Sequence, residues 1–290
     1  MVLNADEDIR DQYPGNLLYS KPVEVIPNVW TAIGATGPPT YENTGHNNNL
    51  SFVITGNGVV VINAGAAASL AKALHLEIKQ ITDQPVVLVV NENGQGHAML
   101  GNSYWYDQGV PIIAHEDAAH EFHESSAQIL ERMQNYNKEK AFGTRLVQPT
   151  ETFSDKHSLL LNNKGIEILY LGPSHSPGDI LVWLPADKLV ISGDMAFHER
   201  LLPIFPETNT AEWIETWENQ FEKLEATYVI PGHGHPTNMA QVRKYTRDYL
   251  VFLREKIGHF LDQGGELKDA YYVDQSPFSH LNTFDELATR

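Results

Sequence analysis

The sequence predicts a layered α/β fold with its helices on the outside. Three observations carry that prediction: a strand–helix–strand run from Val59 to Val90, a second group of strands from Ile166 to Ser192, and two helices around a last strand near Thr227. A chain of 290 residues is long enough to build one such core.

In chain order, β-rich runs occur at Val23–Thr31, Leu50–Thr55 and Val59–Asn63, and Gly56-Asn57-Gly58 between the last two is a hairpin signal. Ala67–Ile81 then places Leu70, Leu74, Ile78 and Ile81 at helical spacing, ahead of the apolar strand Pro85–Val90, which implies a parallel crossover. A short strand at Pro111–Ala114 precedes a polar helix from Glu116 to about Lys138. Strands follow at Ile166–Leu171, Ile180–Leu184 and Leu189–Ser192. Helices at Thr210–Glu225 and Met239–Leu261 flank the strand Thr227–Ile230 and close the architecture from outside. No linker interrupts the pattern, so one domain is preferred to two: residues 1–22 read as an N-terminal arm, 23–264 as the domain and 265–290 as a tail packed on it.

Composition narrows the function. A formal net charge of −17 argues against nucleic acid and anionic membrane as partners, because holding phosphates needs concentrated Lys and Arg. It mildly favours a neutral or cationic small-molecule substrate. With no cysteine there is no disulfide, thiolate ligand or cysteine nucleophile, which leaves His, Asp and Glu as metal ligands. Met1–Tyr19 lacks the basic and apolar regions of a secretory signal, and no apolar run reaches the length of a membrane span. The expectation is a cytoplasmic protein, or a periplasmic one if a leader precedes this sequence. The oligomeric state stays open.

Several strands end in Gly-rich turns that carry His or Asp, where layered α/β folds gather functional groups. They are Asn91-Glu92-Asn93-Gly94-Gln95-Gly96-His97, Gly172-Pro173-Ser174-His175-Ser176-Pro177-Gly178-Asp179, Gly193-Asp194 and Pro231-Gly232-His233-Gly234-His235. The first of these also reads as an anion pocket or oxyanion hole built from amides and freely orientable glycine peptides.

The order and spacing of these turns resemble the metallo-β-lactamase superfamily over roughly Val23 to Thr237. Gly172–Asp179 resembles its G-x-x-H-[ST]-x-G motif, Ile191–Asp194 its bridging-aspartate turn, and Val229–Gly234 its P-G-H-G motif. The resemblance implies a four-layer αββα sandwich and metal-ligand roles for His175, Asp194 and His233. Its H-x-H-x-D-H signature aligns with Glu92–His97, anchored by Gly101-Asn102, and there only His97 survives. Gly94 and Gly96 have no ligating side chain, whereas Glu92 can ligate through its carboxylate. Asn63 likewise stands where the family's I-D-x-G turn has aspartate.

With both family metal sites short of ligands, the resemblance best supports one metal, most simply zinc, held by His97, Asp194 and His233 with His175 or Glu92 nearby. Iron and a two-metal site are the alternatives. The implied activity is a metallo-hydrolase in which metal-bound hydroxide attacks an ester, thioester or amide-like bond. Asp194 then belongs to the catalytic centre, and Glu92 or His175, if free of metal, serves as general base or proton donor. Two other readings stand beside it: an iron-dependent oxidoreductase on the same fold, and a non-catalytic ligand-binding member with a degenerate site.

The remaining histidines and tryptophans have plainer readings. His115, His120 and His123 are expected on a solvated helix face and His46 as a turn residue, although the resemblance implies a loop there that overhangs the site and could bring His46 to the pocket. His198 is a candidate for the pocket wall, and His235 is expected behind the site or in solvent. Trp105, Trp213 and Trp217 are explained by packing alone.

Overall fold

The computed structural model describes residues 11–161 and 164–288. The arm residues Met1–Arg10 and the final Thr289-Arg290 lie outside them. The strands are β1 Val23–Ile26, β2 Val29–Ala32, β3 Leu50–Ile54, β4 Val59–Ile62, β5 Val86–Val90, β6 Ile112–His115, β7 Glu151–Phe153, β8 Lys156–Leu161, β9 Lys164–Leu169, β10 Leu181–Leu184, β11 Leu189–Phe197 and β12 Tyr228–His233. The helices are α1 Ala68–Ile81, α2 Gly96–Met99, α3 Asn102–Asp107, α4 Glu116–Asn137, α5 Thr210–Thr216, α6 Met239–Tyr245, α7 Arg247–Asp262 and α8 Phe284–Leu287.

Two sheets result. The first runs β1-β2-β3-β4-β5-β6-β7 and the second β12-β11-β10-β9-β8. The Gly56–Gly58 turn joins β3 and β4 antiparallel, as its residues predict. The crossover through α1 brings β5 parallel to β4, because a helix must carry the chain back along the sheet.

Three apolar cores define the layers. Between the sheets lie Val53, Val60, Ile62, Val90 and Ile113 from the first and Ile168, Val182, Leu189, Ile191 and Ile230 from the second. Outside the first sheet, Leu70, Leu74 and Ile78 of α1 and Phe122 and Met133 of α4 pack on Phe52, Val59, Val61 and Val89. Outside the second, Trp213 of α5, Val242 of α6 and Tyr249 and Leu250 of α7 pack on Val190, Phe197 and Val229. Helix, sheet, sheet, helix is the αββα sandwich. Leu281 and Ala288 of the tail join that last core, and Leu18 joins the core beneath α1.

Some elements differ from the sequence pattern for physical reasons. Val23–Thr31 is two antiparallel strands, not one, because the chain reverses at Asn28 with φ of 68°. β7 and β8 carry no apolar alternation that announces them; two of the three β7 residues are exposed. β11 runs past Ser192 to Phe197 because β12 continues to pair with it beyond the irregular step at Gly193. The helix expected over Thr210–Glu225 stays α-helical only to Thr216 and continues in other helical geometry. The one expected over Met239–Leu261 breaks at Thr246, whose hydroxyl accepts from Phe197 N at 2.8 Å and reaches Phe197 O at 3.3 Å. The buried hydroxyl ties Thr246 to the strand while its backbone turns to φ −112° and ψ −77°, a kink across which Thr246 N still reaches Val242 O at 2.9 Å.

His115 overturns its surface expectation. It is 2% exposed, its Nδ1 accepts from Asp117 N at 3.2 Å as the cap of α4, and its ring stacks on Tyr170. His120 and His123 are exposed. Trp105, Trp213 and Trp217 are all fully buried.

Candidate functional site

The segment after β5, the middle of β11, the end of β12 and the turn between β9 and β10 deliver His97, Asp194, His233 and His175 to one place. Asn63, just past β4, accepts from Glu92 N through its side chain at 3.1 Å and so sets the chain direction as it leaves β5. The amides of Asn91 and Asn102 pair reciprocally at 3.0 Å and pin the ends of the Asn91–Gly101 segment that contains His97. Gly193 has a φ of +52°, and a Cβ there would lie 2.0 Å from Glu92 Oε2. Only glycine lets the turn before Asp194 close over that carboxylate.

His97, Asp194 and His233 converge: one ligand atom from each lies within 4.8 Å of the others. His97 Nε2 is 3.6 Å from Asp194 Oδ2, and His233 Nε2 is 3.3 Å from Asp194 Oδ1. His175 Nδ1 lies 3.7 Å from Asp194 Oδ2 and 3.1 Å from the Gln95 side-chain amide. Glu92 Oε1 is 3.1 Å from His97 Nε2, so the same nitrogen faces two carboxylates. Asn93 donates to Asp194 Oδ2 at 3.2 Å.

Electrostatics sort these groups. Burial works against ionising Asp194, yet the imidazoles of His97 and His233 outweigh it and hold its carboxyl well below the usual range. Burial likewise opposes charge on His97, but Asp194 and Glu92 together hold its pKa above the ordinary value. His233 is pushed down to about 4 by burial and by the Arg200 cation, and burial lowers His175 as well. Burial raises the Glu92 carboxyl, with repulsion from Asp194 adding to it.

A cavity of about 480 Å³ opens on His97, Asp194 and His233. Pro38, Pro39, Ile129, Pro203, Phe205 and Leu287 give it apolar walls, and Gln95, Glu121, Arg132 and Arg200 add polar ones. Glu92 and His175 do not line it; they stand behind Gln95 and His97 at 2% and 0% exposure. The His175 Nε2 atom is buried without a hydrogen-bond partner, and its ring packs against Phe197, Phe205 and Trp213.

His46 does not reach the cavity. Its ring is buried in its own loop, accepting from Tyr19 N at 2.8 Å. Its neighbour Asn47 does reach, placing a carbonyl oxygen 2.5 Å from His233 Nδ1. His198 is held at 2.9 Å by the His235 carbonyl and is not in the cavity wall. His235 lies behind the site, between Glu199 at 2.6 Å and Asp11 at 2.8 Å.

Two cavity residues escape sequence reasoning. Arg200 is 6% exposed and sits 3.2 Å from His233 Nδ1, but nothing in its local sequence marks it. Glu121 hides in the polar pattern of α4. The glycines at 94 and 96 leave the space that α4 fills, but they do not say which residue of which element fills it.

The family profile described as the metallo-beta-lactamase superfamily matches residues 99–233. A type 2 metallo-beta-lactamase of Bacteroides fragilis is 24% identical over 193 residues, covering 63% of this chain and 70% of that protein. An acyl-coenzyme A thioesterase of Bos taurus is 23% identical over 114 residues, 38% of this chain and 40% of the thioesterase. The solved metallo-beta-lactamase from Pontibacter korlensis superposes with a TM-score of 0.66 at 20% identity, over 79% of this chain and 98% of that one. Among the described residues no helix is long and apolar enough to cross a membrane.

Proposed function

We propose that this chain, whose residues 99–233 match the metallo-beta-lactamase superfamily profile, is a hydrolase of ester, thioester or amide-like bonds that works with one metal at His97, Asp194 and His233. The observation that carries the reading is the convergence of those three side chains on the floor of one cavity. Two imidazoles and a carboxylate leave open positions for water and substrate, as a catalytic site needs.

The donor set fits a divalent metal. His233 Nδ1–H donates to the Asn47 carbonyl, which leaves the Nε2 lone pair facing Asp194. A ligating histidine is ordinarily held in its tautomer by such a bond. Asp194 Oδ1 is buried without a hydrogen-bond partner, a costly state for an anionic oxygen unless a cation completes it. His97 carries a proton between two carboxylates when no cation is present, and a metal would displace it.

When bound, the metal supplies Lewis acidity, polarising a carbonyl and lowering the pKa of water. The protein does the rest. Pro38, Pro39, Pro203, Phe205 and Leu287 offer apolar surface to the acyl part of a substrate. Arg200, buried beside His233, offers its guanidinium to a carbonyl or anionic oxygen of the substrate. Glu92 and His175 steady His97 and Gln95 from behind. The superfamily relatives include a thioesterase, which is consistent with acyl transfer to water.

Elemental analysis of protein purified without chelator, beside His97→Ala and His233→Ala, tests this. About one zinc per chain, lost in both variants, is expected. No metal after reconstitution would remove the hydrolase reading in favour of a ligand-binding role. A second reading rests on the same donors, since two histidines and one carboxylate also suit iron(II). Iron in the protein with oxygen uptake would favour an oxidoreductase.

A further inference from the structure

The cavity contains an acid from an element that bears none of the motif residues. Glu121 projects from the second turn of α4 against the Gly94 turn: a Cβ on Gly94 would lie 2.8 Å from Glu121 Cβ and 2.9 Å from its Cδ. A Cβ on Gly96 would lie 2.7 Å from Ile129 of the same helix. α4 thus occupies the space that side chains at 94 and 96 would need. The docking is tight elsewhere too, since a Cβ on Gly178 would lie 2.3 Å from Ala118 N.

Glu121 lines the same cavity as His97, Asp194 and His233. The Glu121 carboxylate is hydrogen-bonded with Ser176, and its Oε2 is buried without a hydrogen-bond partner. Three other carboxylates line the cavity among the described residues: Asp194, Glu207 and Glu286. Asp194 is engaged by the histidines, Glu207 is exposed, and Glu286 on the tail faces the Arg200 charge. Glu92 and Asp179 are buried behind the cavity, Asp179 satisfied by Ser174 Oγ at 2.8 Å and Ser176 Oγ at 3.1 Å. Glu121 is the cavity carboxylate that is partly buried, stands against the Gly94 turn and keeps one oxygen without a hydrogen-bond partner.

We propose that Glu121 is the catalytic proton donor to the leaving group, an assignment that rests on the hydrolase reading above. Water adds to the acyl carbon, and the bond from that carbon to the leaving oxygen or sulfur breaks with its electron pair going to the leaving atom. That atom takes the proton of the Glu121 carboxyl, and the proton released by the attacking water restores it. One ester and one water give one acid and one alcohol. Burial, followed by repulsion from Asp179 and Glu207, pushes the Glu121 carboxyl up to about 7, against smaller opposing effects of a hydrogen bond with Ser176 and then of His97. At neutral pH the group is therefore both available as an acid and able to be recharged.

The test compares Glu121→Gln with wild type on two esters of one acyl group, ethyl butyrate and p-nitrophenyl butyrate, with metal content measured on both proteins. An ethoxide must be protonated to leave, whereas p-nitrophenolate departs without a proton. The expected result is a fall of about 100-fold in the ratio of kcat on the ethyl ester to kcat on the aryl ester, at unchanged metal content, with partial rescue by Glu121→Asp. An unchanged ratio, or equal loss on both esters, overturns the assignment. A metal-loaded wild type that cleaves neither ester removes the ester hydrolysis on which the assignment rests and overturns the assignment with it, and the wild-type arm distinguishes that failure from the first.

Discussion

Asn49 donates both hydrogens of its side-chain amide to the β12 turn, to Pro231 O at 2.8 Å and to Gly234 O at 2.7 Å. Its Oδ1 accepts from Gly34 N at 3.2 Å, so one buried amide joins the first sheet's loops to the turn that presents His233. Nothing about an asparagine in a run of three in the sequence singles out this one.

Replacing it leaves two buried carbonyls and an N–H without partners. Asn49→Ala is expected to cost about 3 kcal/mol in urea denaturation and to lower occupancy at the His233 site in elemental analysis. Full retention of both would mean that the turn is held by other contacts.

Metal removal should destabilise the fold, because the ligands come from three separate segments that binding ties together. At free metal near 100 times its dissociation constant, linkage gives about 3 kcal/mol. Dialysis against a chelator should therefore lower Tm, and zinc should restore it. Asp194→Asn should show the lower Tm with or without chelator.

Restoring the family residues at the first motif should fail structurally. Gly94→His and Gly96→Asp drive side chains into Glu121 and Ile129 of α4, at an expected cost of about 2 kcal/mol or more each. Metal per chain should not rise in the double variant. A stable double variant with a second metal would show that α4 yields readily.

His46 sets a pH limit on stability. Its Nδ1 accepts from Tyr19 N, leaving Nε2–H to face the Ala32 carbonyl at 3.3 Å, and burial pushes its pKa down to about 4. The folded pKa is below the unfolded value near 6.5, so the unfolded chain takes up a proton first as pH falls. This contribution is fully present above about 6.5, is lost progressively down to about 4, and amounts to about 3 kcal/mol. Urea titrations at pH 7 and 4.5 should show a smaller difference for His46→Gln than for wild type.

The sequence by itself determined the layers and where the site residues lie along the chain. Apolar periodicity is local, and so are the turns that end strands with His or Asp, which is why α1, the β3–β4 hairpin and the segments around His97, Asp194 and His233 were legible. What only the tertiary structure decided is which side chains meet. Thr246 bonds a strand because Phe197 is beside it, His115 is buried because Tyr170 stacks on it, and Glu121 enters the cavity because α4 docks on two glycines. Each depends on a partner remote in sequence, and residue type and spacing carry no record of that contact until the chain has packed.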